Sequence, residues 1–311
     1  MRRKMLFVYN PRAGRGMITV NIPEILEIFT KGGYDVIARP TQGVGDATEV
    51  VKQYGSSMDA VVCSGGDGTL DEVLNGIMTT CPDMKLGYIP AGSTNDFAKS
   101  LSIPTSMTEA AQDIVVGDIY KCDVGQFNKK YFSYVAAFGM FTNVSYETDQ
   151  NLKNTLGHFA YLLEAGKQFF NIPVYHLIVD VDGQKIEGNY AVGMVTNSRL
   201  IGGMKNLTGT GVDMNDGLFE VILVHTPTNP IEINRIVTEM TTNTPSHTMV
   251  EKYKGHRIAI MAQDSIAWTL DGEYGDTVSE ILIQNHPKAL NLFLNRRKPV
   301  RLVNPEEAAR N

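Results

Sequence analysis

Val61-Val62-Cys63-Ser64-Gly65-Gly66-Asp67-Gly68-Thr69-Leu70 is the stretch that decides the fold. An apolar run of strand character ends in three glycines and a carboxylate, and helical apolar spacing then continues from Leu70 to Met78. Glycines let the backbone approach a ligand and take up conformations that a β-carbon forbids. The helix that follows offers unpaired N–H groups and a positive dipole end, so the turn reads as a phosphate site. Asp67 is the odd member. A carboxylate among phosphate-binding amides makes sense when a metal ion lies between it and the phosphates, which points to a nucleotide with a divalent cation.

The surrounding chain fits an α/β reading. Helical spacing at 22–29 is stopped by Gly32-Gly33, an apolar run at 36–38 follows, and Asp46 is placed to cap a helix reaching Tyr54. A strand at 86–90 and a helix at 96–101 come after the glycine turn, with Asp71 and Glu72 assigned to the first turn of the 70–78 helix. Strands alternating with helices over short connections predict a parallel sheet covered on both faces. From about Tyr120 the texture changes to strand-like runs at 174–181, 190–195, 218–224, 258–262, 266–270 and 281–284, separated by turn signals such as Asp182-Gly183 and Asp216-Gly217. Two stretches, 159–169 and 231–240 after Pro230, read as helices. The expected architecture is an N-terminal Rossmann-like, three-layer α/β/α domain over residues 1–122 and a C-terminal antiparallel β-sandwich over 123–295. The charged tail, 296–311, is expected to pack back on the first domain.

Composition sets outer bounds. With 311 residues, 43% of them hydrophobic, the chain can bury a large core. Twenty-eight basic against 34 acidic side chains leave a net charge of −6, which argues against nucleic acid as a partner. Cys63, Cys81 and Cys122 form an odd set without CxxC spacing, as expected of buried thiols in a reducing cytosol. The apolar run after Met1-Arg2-Arg3-Lys4 stops at Asn10-Pro11, too short for a secretion signal, and no segment approaches the roughly 20 apolar residues that span a bilayer. A soluble, cytoplasmic protein is the expectation.

Two further turns carry chemistry. Asn10-Pro11-Arg12-Ala13-Gly14-Arg15-Gly16 follows the first strand, and Gly92-Ser93-Thr94-Asn95-Asp96-Phe97-Ala98 follows the strand at 86–90. Three such turns at the carboxyl ends of strands in one α/β sheet mark the place where ligands bind. Later in the chain, Asp213-Met214-Asn215-Asp216-Gly217-Leu218-Phe219 and Leu270-Asp271-Gly272-Glu273 place carboxylates beside strands. Each also reads as an ordinary hairpin turn.

In this order and spacing the motifs resemble the diacylglycerol kinase catalytic-domain family, within the superfamily that includes sphingosine, ceramide and NAD kinases. Val144-Ser145-Tyr146-Glu147-Thr148 is further similar to the soluble diacylglycerol kinases of Gram-positive bacteria, and Ser93 stands where the family has Thr, keeping a hydroxyl. The resemblance implies transfer of the ATP γ-phosphoryl group to diacylglycerol, giving phosphatidate, with ATP bound between the two domains. It also implies that Asn10, Pro11, Gly14, Thr41, Gly65, Gly66, Asp67, Gly68, Thr69, Glu72, Thr94, Asn95 and Asp96 form the nucleotide site. Asp67 and Asp96 would hold the catalytic Mg2+ through waters, and a structural Mg2+ would bind the Asp216 side chain with the carbonyls of Asp213 and Leu218. Glu273 would be the general base with Asp271 nearby. If that stretch is extended, both carboxylates point to one face and either could act.

Other acceptors, a long-chain base, another lipid alcohol or NAD, remain as alternatives, as does a nucleotide- or lipid-binding regulator without catalysis. The scattered histidines, among them His158, His225 and His256, have no ligand spacing, and Trp268 reads as a packing anchor. Arg296, Arg297, Lys298 and Arg301 form a basic run suited to transient contact with an anionic membrane surface. Assembly as a homodimer is compatible with all of this.

Overall fold

A computed structural model describes residues 2–139, 172–198, 200–201, 204–205, 212–241 and 248–296. The motif at 144–148, His158, the helix expected over 159–169 and the tail beyond Arg296 lie outside the described residues. The N-terminal part runs β1 (Arg3–Tyr9), α1 (Met17–Lys31), β2 (Tyr34–Pro40), α2 (Asp46–Tyr54), β3 (Ala60–Gly65), α3 (Asp67–Thr80), β4 (Lys85–Pro90), α4 (Asp96–Ser100) and α5 (Met107–Val116). The remainder holds β5 (Asp118–Phe127), β6 (Lys130–Phe132), β7 (Val135–Gly139), β8 (Tyr175–Val181), β9 (Gln184–Thr196), the short β10 (Leu200–Ile201) and β11 (Met204–Lys205), β12 (Phe219–His225), α6 (Pro230–Thr241), β13 (Val250–Gly255), β14 (Arg257–Leu270) and β15 (Glu273–Leu294).

The first four strands are parallel in the order β2-β1-β3-β4. Every residue of β3 is buried, as a strand with helices over both faces requires. Helix α1 packs against α5 and α2 against α3. The expected α/β/α layering is therefore present. Two local assignments differ from the sequence reading. Gly45 at φ 82°, not Asp46, caps α2, and Asp46 instead accepts the Gln42 amide at 2.8 Å from the first helical position. Helix α3 begins at Asp67, so Asp71 and Glu72 fall in its second turn. Helix α5 escaped the sequence reading although it carries a capping signature, Ser106 with Glu109 three residues on, and the Ser106 hydroxyl accepts the Glu109 amide.

The C-terminal strands are antiparallel in the order β13-β12-β9-β7-β14-β15, with β8 beside both β9 and β14 and with β5 and β6 continuing beyond β15. The sheet curls until Phe132 of β6 stacks on Phe219 of β12 at 5.6 Å, which closes two layers around Trp268. Trp268 is fully buried between Phe127 and Phe138 at 5.2 and 4.8 Å. Helix α6 covers the outer face through Ile233, Ile236 and Met240. The runs at 258–262 and 266–270 are one strand, β14, interrupted by a register shift between Met261 and Ile266.

Strand β15 joins the two parts. Its first half pairs with β14, while Asn291 and Leu292 pair in parallel with Lys85 and Leu86 of β4, so Leu290 and Leu292 enter the N-terminal core. A second tie comes from Asn75 on α3, whose Nδ2 donates to the Tyr131 carbonyl and whose Oδ1 accepts the Tyr131 amide, both at 2.9 Å. This fixes α3 against β6. Asn75→Ala would leave both Tyr131 main-chain groups without these partners, at a cost of about 1–3 kcal/mol. The expected result is a fall of several degrees in the melting temperature; a thermal melt matching the parent's would show that the tie contributes nothing.

Candidate active site

The turns after β1, β2, β3 and β4 lie side by side because the strand ladders continue into them. Asn10 N donates to Ser64 O at 2.8 Å, Thr41 N to Tyr9 O at 2.9 Å and Ala91 N to Gly65 O at 2.8 Å. Glycine is required where they touch. Gly14 has φ 58°, and a Cβ on it would lie 2.6 Å from the Ala91 carbonyl oxygen; a Cβ on Gly92 would lie 2.6 Å from Gly66 Cα. Helix α3 then starts from Gly66, a cap without a side chain, so its first amides face the turn with no side-chain acceptor. The Thr69 side chain covers Gly65.

Several residues expected at the nucleotide have structural duties. Asn95, in the left-handed region at φ 49°, clips its own turn by accepting Gly92 N at 2.9 Å and donating to Gly92 O at 2.7 Å. The two oxygens of Glu72 accept the amides of Gly45 and Ala47 at 2.8 and 3.1 Å, capping α2 and holding the 41–45 turn against α3. Asn10 accepts Arg12 N at 2.9 Å, which tightens the first turn, while Thr94 is exposed beside it in the assembled edge.

The carboxylates gather where α3 begins. Asp96, buried at the start of α4, donates its amide to Asp67 Oδ2 at 3.4 Å. Burial, then the charges of Asp271 and Asp96, push the Asp67 carboxyl up to about 7. Asp71, one turn further along α3, is held well above the usual carboxylate range by burial and by Asp271, with Lys130 opposing the shift. Lys130 itself donates to the Gly275 carbonyl of β15.

The stretch at 271–273 is not extended, so its two carboxylates do not share a face. Asp271 at φ 51° and Gly272 at φ 88° form the two-residue turn between β14 and β15, with Leu270 opposite Glu273. Asp271 is buried and accepts four hydrogen bonds, from Ser133 N and Oγ at 2.5 and 2.8 Å and from Tyr134 N and Val135 N at 2.9 Å. Burial raises its pKa against the pull of those donors. Glu273 is exposed on the other side of the turn and reaches Gly68: a Cβ on Gly68 would lie 3.0 Å from Glu273 Oε1. The β14–β15 hairpin thus sets one carboxylate directly on the glycine turn that opens α3.

The 213–218 segment lies apart from this cluster. Asp213 and Asp216 are exposed, Asp216 Oδ1 accepts Leu218 N at 3.0 Å, and the segment is pinned by Asp123, whose oxygens accept Gly217 N and Lys288 N at 2.7 Å. Asp123, 1% exposed, was missed in the sequence because it sits within the apolar strand β5; burial and the charge of Asp216 raise its pKa, opposed by the hydrogen bonds from Lys288 and Gly217. Among the described residues no three His, Cys, Asp or Glu side chains cluster as metal ligands. Arg296, the one described member of the basic run, stacks over Tyr120 at 4.2 Å. No helix among the described residues is long and apolar enough to cross a membrane.

Residues 4–127 match the family model of the diacylglycerol kinase catalytic domain, and 135–294 match that of the YegS C-terminal NAD kinase beta sandwich-like domain. A protein named diacylglycerol kinase from Staphylococcus saprophyticus is 29% identical over 309 residues, covering 99% of this chain and 97% of its own. One of the same name from Staphylococcus aureus is 33% identical over 277 residues, 88% of this chain and 87% of its own. The crystal structure of a putative diacylglycerol kinase from Bacillus anthracis superposes with a TM-score of 0.79 at 24% identity, over 95% of this chain and 96% of that one, and so shares the fold. Matched at both of its parts by the family models and identical at 33% of the 277 aligned residues to the Staphylococcus aureus protein, the chain belongs to the diacylglycerol kinase family of lipid kinases.

Proposed function

We propose that this lipid kinase transfers the γ-phosphoryl group of ATP to the free hydroxyl of diacylglycerol, giving phosphatidate and ADP, at a membrane surface that it does not cross. The observation that carries the reading is the contact of Glu273 with Gly68, a carboxylate from one sheet resting on the phosphate-binding helix start of the other. Phosphoryl transfer depends on positioning and on charge stabilisation more than on covalent help. The α3 amides and the glycine turns supply donors for the phosphates. As the lipid oxygen bonds to the γ-phosphorus and the bond to the ADP oxygen breaks, the hydroxyl proton passes to Glu273. Asp271, with all four of its acceptances used by 133–135, positions the hairpin that carries Glu273 and is not the base.

Magnesium fits the residues present. Asp67 Oδ1 is buried without a protein partner, and the burial and carboxylate repulsion that raise the Asp67 pKa are what a divalent cation offsets. Asp67 and Asp96 would hold the ion, through waters; bound there, it would neutralise charge developing on the phosphates. At 213–218, one carboxylate with main-chain carbonyls suits a hard cation in a structural role.

A panel of radiolabelled ATP with diacylglycerol, sphingoid base, ceramide, undecaprenol and NAD tests the reading: label in phosphatidate alone is expected, and preferential labelling of another acceptor would replace it. Glu273→Gln should lower kcat by about two to four orders of magnitude with KM for ATP nearly unchanged; near-parent turnover would remove Glu273 as the base.

The Asp67 shift has a consequence for stability. In the protein without metal or nucleotide the folded state holds a proton between pH 3.8 and about 7 that the unfolded chain has released. Its contribution is therefore full below pH 3.8 and lost as pH rises through about 7. Asp67→Asn should flatten that part of the melting-temperature profile and gain stability relative to the parent at pH 8; parallel profiles from pH 4 to 8 would refute the assignment. Saturating magnesium without nucleotide should raise the parent's melting temperature, with the increment from 213–218 missing in Asp216→Asn. Equal increments in both proteins would leave that segment without a metal.

A further inference from the structure

Asn197 directly follows β9 inside the same knot of residues, yet no motif or mechanism above uses it. It is 1% exposed, and neither its Nδ2 nor its Oδ1 has a hydrogen-bond partner. A buried amide left unpaired at both atoms is costly, so its retention needs a reason. The position supplies one. Asn197 N donates to Tyr134 O at 2.9 Å and the preceding Thr196 hydroxyl to the same oxygen at 2.7 Å, while Tyr134 N is bound to Asp271. On the other side, Ser198 Oγ lies 2.8 Å from Ser100 Oγ at the end of α4, the helix that Asp96 begins. The orphaned amide thus sits where the N-terminal and C-terminal parts meet, one residue removed from each of the elements that place Asp271 and Asp96.

We propose that Asn197 binds the alcohol head group of the lipid acceptor, an inference that rests on the lipid-kinase reading above. A free donor and a free acceptor on one planar group match a ligand that presents both, as a hydroxyl does. Phosphate oxygens would use Nδ2 alone, and a metal ion would use Oδ1 alone, so each would leave half of the amide unpaired. Enclosure strengthens the recognition. Both atoms are shielded from bulk solvent, so a hydroxyl that reaches them, through displacement of neighbouring side chains, pairs two groups that have no protein partner.

Asn197→Leu preserves the shape and removes both polar atoms. Three readouts of parent and variant separate the outcomes: the melting temperature without ligands, the KM for diacylglycerol in mixed micelles, and the KM for ATP with its magnesium requirement. The melting temperature should hold or rise, since two unpaired buried groups are gone. The KM for diacylglycerol should increase about tenfold or more, with the KM for ATP and the magnesium requirement within about twofold. An unchanged lipid KM, an equal rise in the ATP KM, or a raised magnesium requirement would overturn the proposal. So would a large fall in melting temperature in both Asn197→Leu and the smaller Asn197→Ala, which would make the amide structural. A parent enzyme that phosphorylates no lipid alcohol would instead defeat the reading on which the proposal rests.

Discussion

Four hydrogen bonds to one buried carboxylate hold the site together. Asp271 lies at the tip of the β14–β15 hairpin, and the segment 133–135 that it gathers leads from β6 into β7. Removing an acceptor that satisfies three amides and a hydroxyl would leave several buried donors unpaired, which is far more disruptive than losing one exposed ion pair. The carboxylate that touches the glycine turn, Glu273, is two residues further on. Its placement over Gly68 is therefore inherited from the anchoring of Asp271, reinforced by Lys130 on Gly275 and by Asn75 on Tyr131.

The electrostatics are arranged in the opposite sense to a stable core. Asp67, Asp71, Asp96 and Asp271 crowd the start of α3, and burial is the main force that raises the pKa values of Asp67, Asp71 and Asp271. Helix dipole and amides partly offset this, but mutual repulsion remains in the ligand-free molecule. A site that is strained in this way has a stronger demand for cations than a neutral one would, and its protonation and its metal binding are necessarily linked. The unpaired Asn197 amide belongs to the same pattern: a buried polar group left unsatisfied among the residues that link Asp271 with Asp96.

The parallel half was legible because its central strands are buried and end in turns packed so closely on one another that Gly14 and Gly92 tolerate no β-carbon. Legibility fell where pairing is long-range. β15 was recognised only at 281–284, since Glu273 to Glu280 and the Pro287-Lys288 interruption break the apolar pattern along its length. The role of Asp271 was out of reach for a different reason. Its partners are chiefly backbone amides more than 130 residues away, and an amide carries no residue signature. Asp123 and Asn75 are of the same kind, polar side chains spent on main-chain groups of a distant strand.

The course of β15 also limits how the molecule can be taken apart. Because its last residues lie beside β4 and its neighbour β5 runs along it through both cores, the N-terminal sheet is not a contiguous piece of chain. A fragment ending near Phe127 would strip β4 of a flanking strand and uncover Leu86, leaving an open, apolar edge that invites aggregation. Relative movement of the halves must then be a twist of two paired strands about the irregularity between His286 and Leu290, with Lys288 at φ 56°, and not a swing on a loose tether. Such a torsional joint would confine the hairpin tip to a restricted arc, so that opening and returning to the same register would be properties of one ribbon.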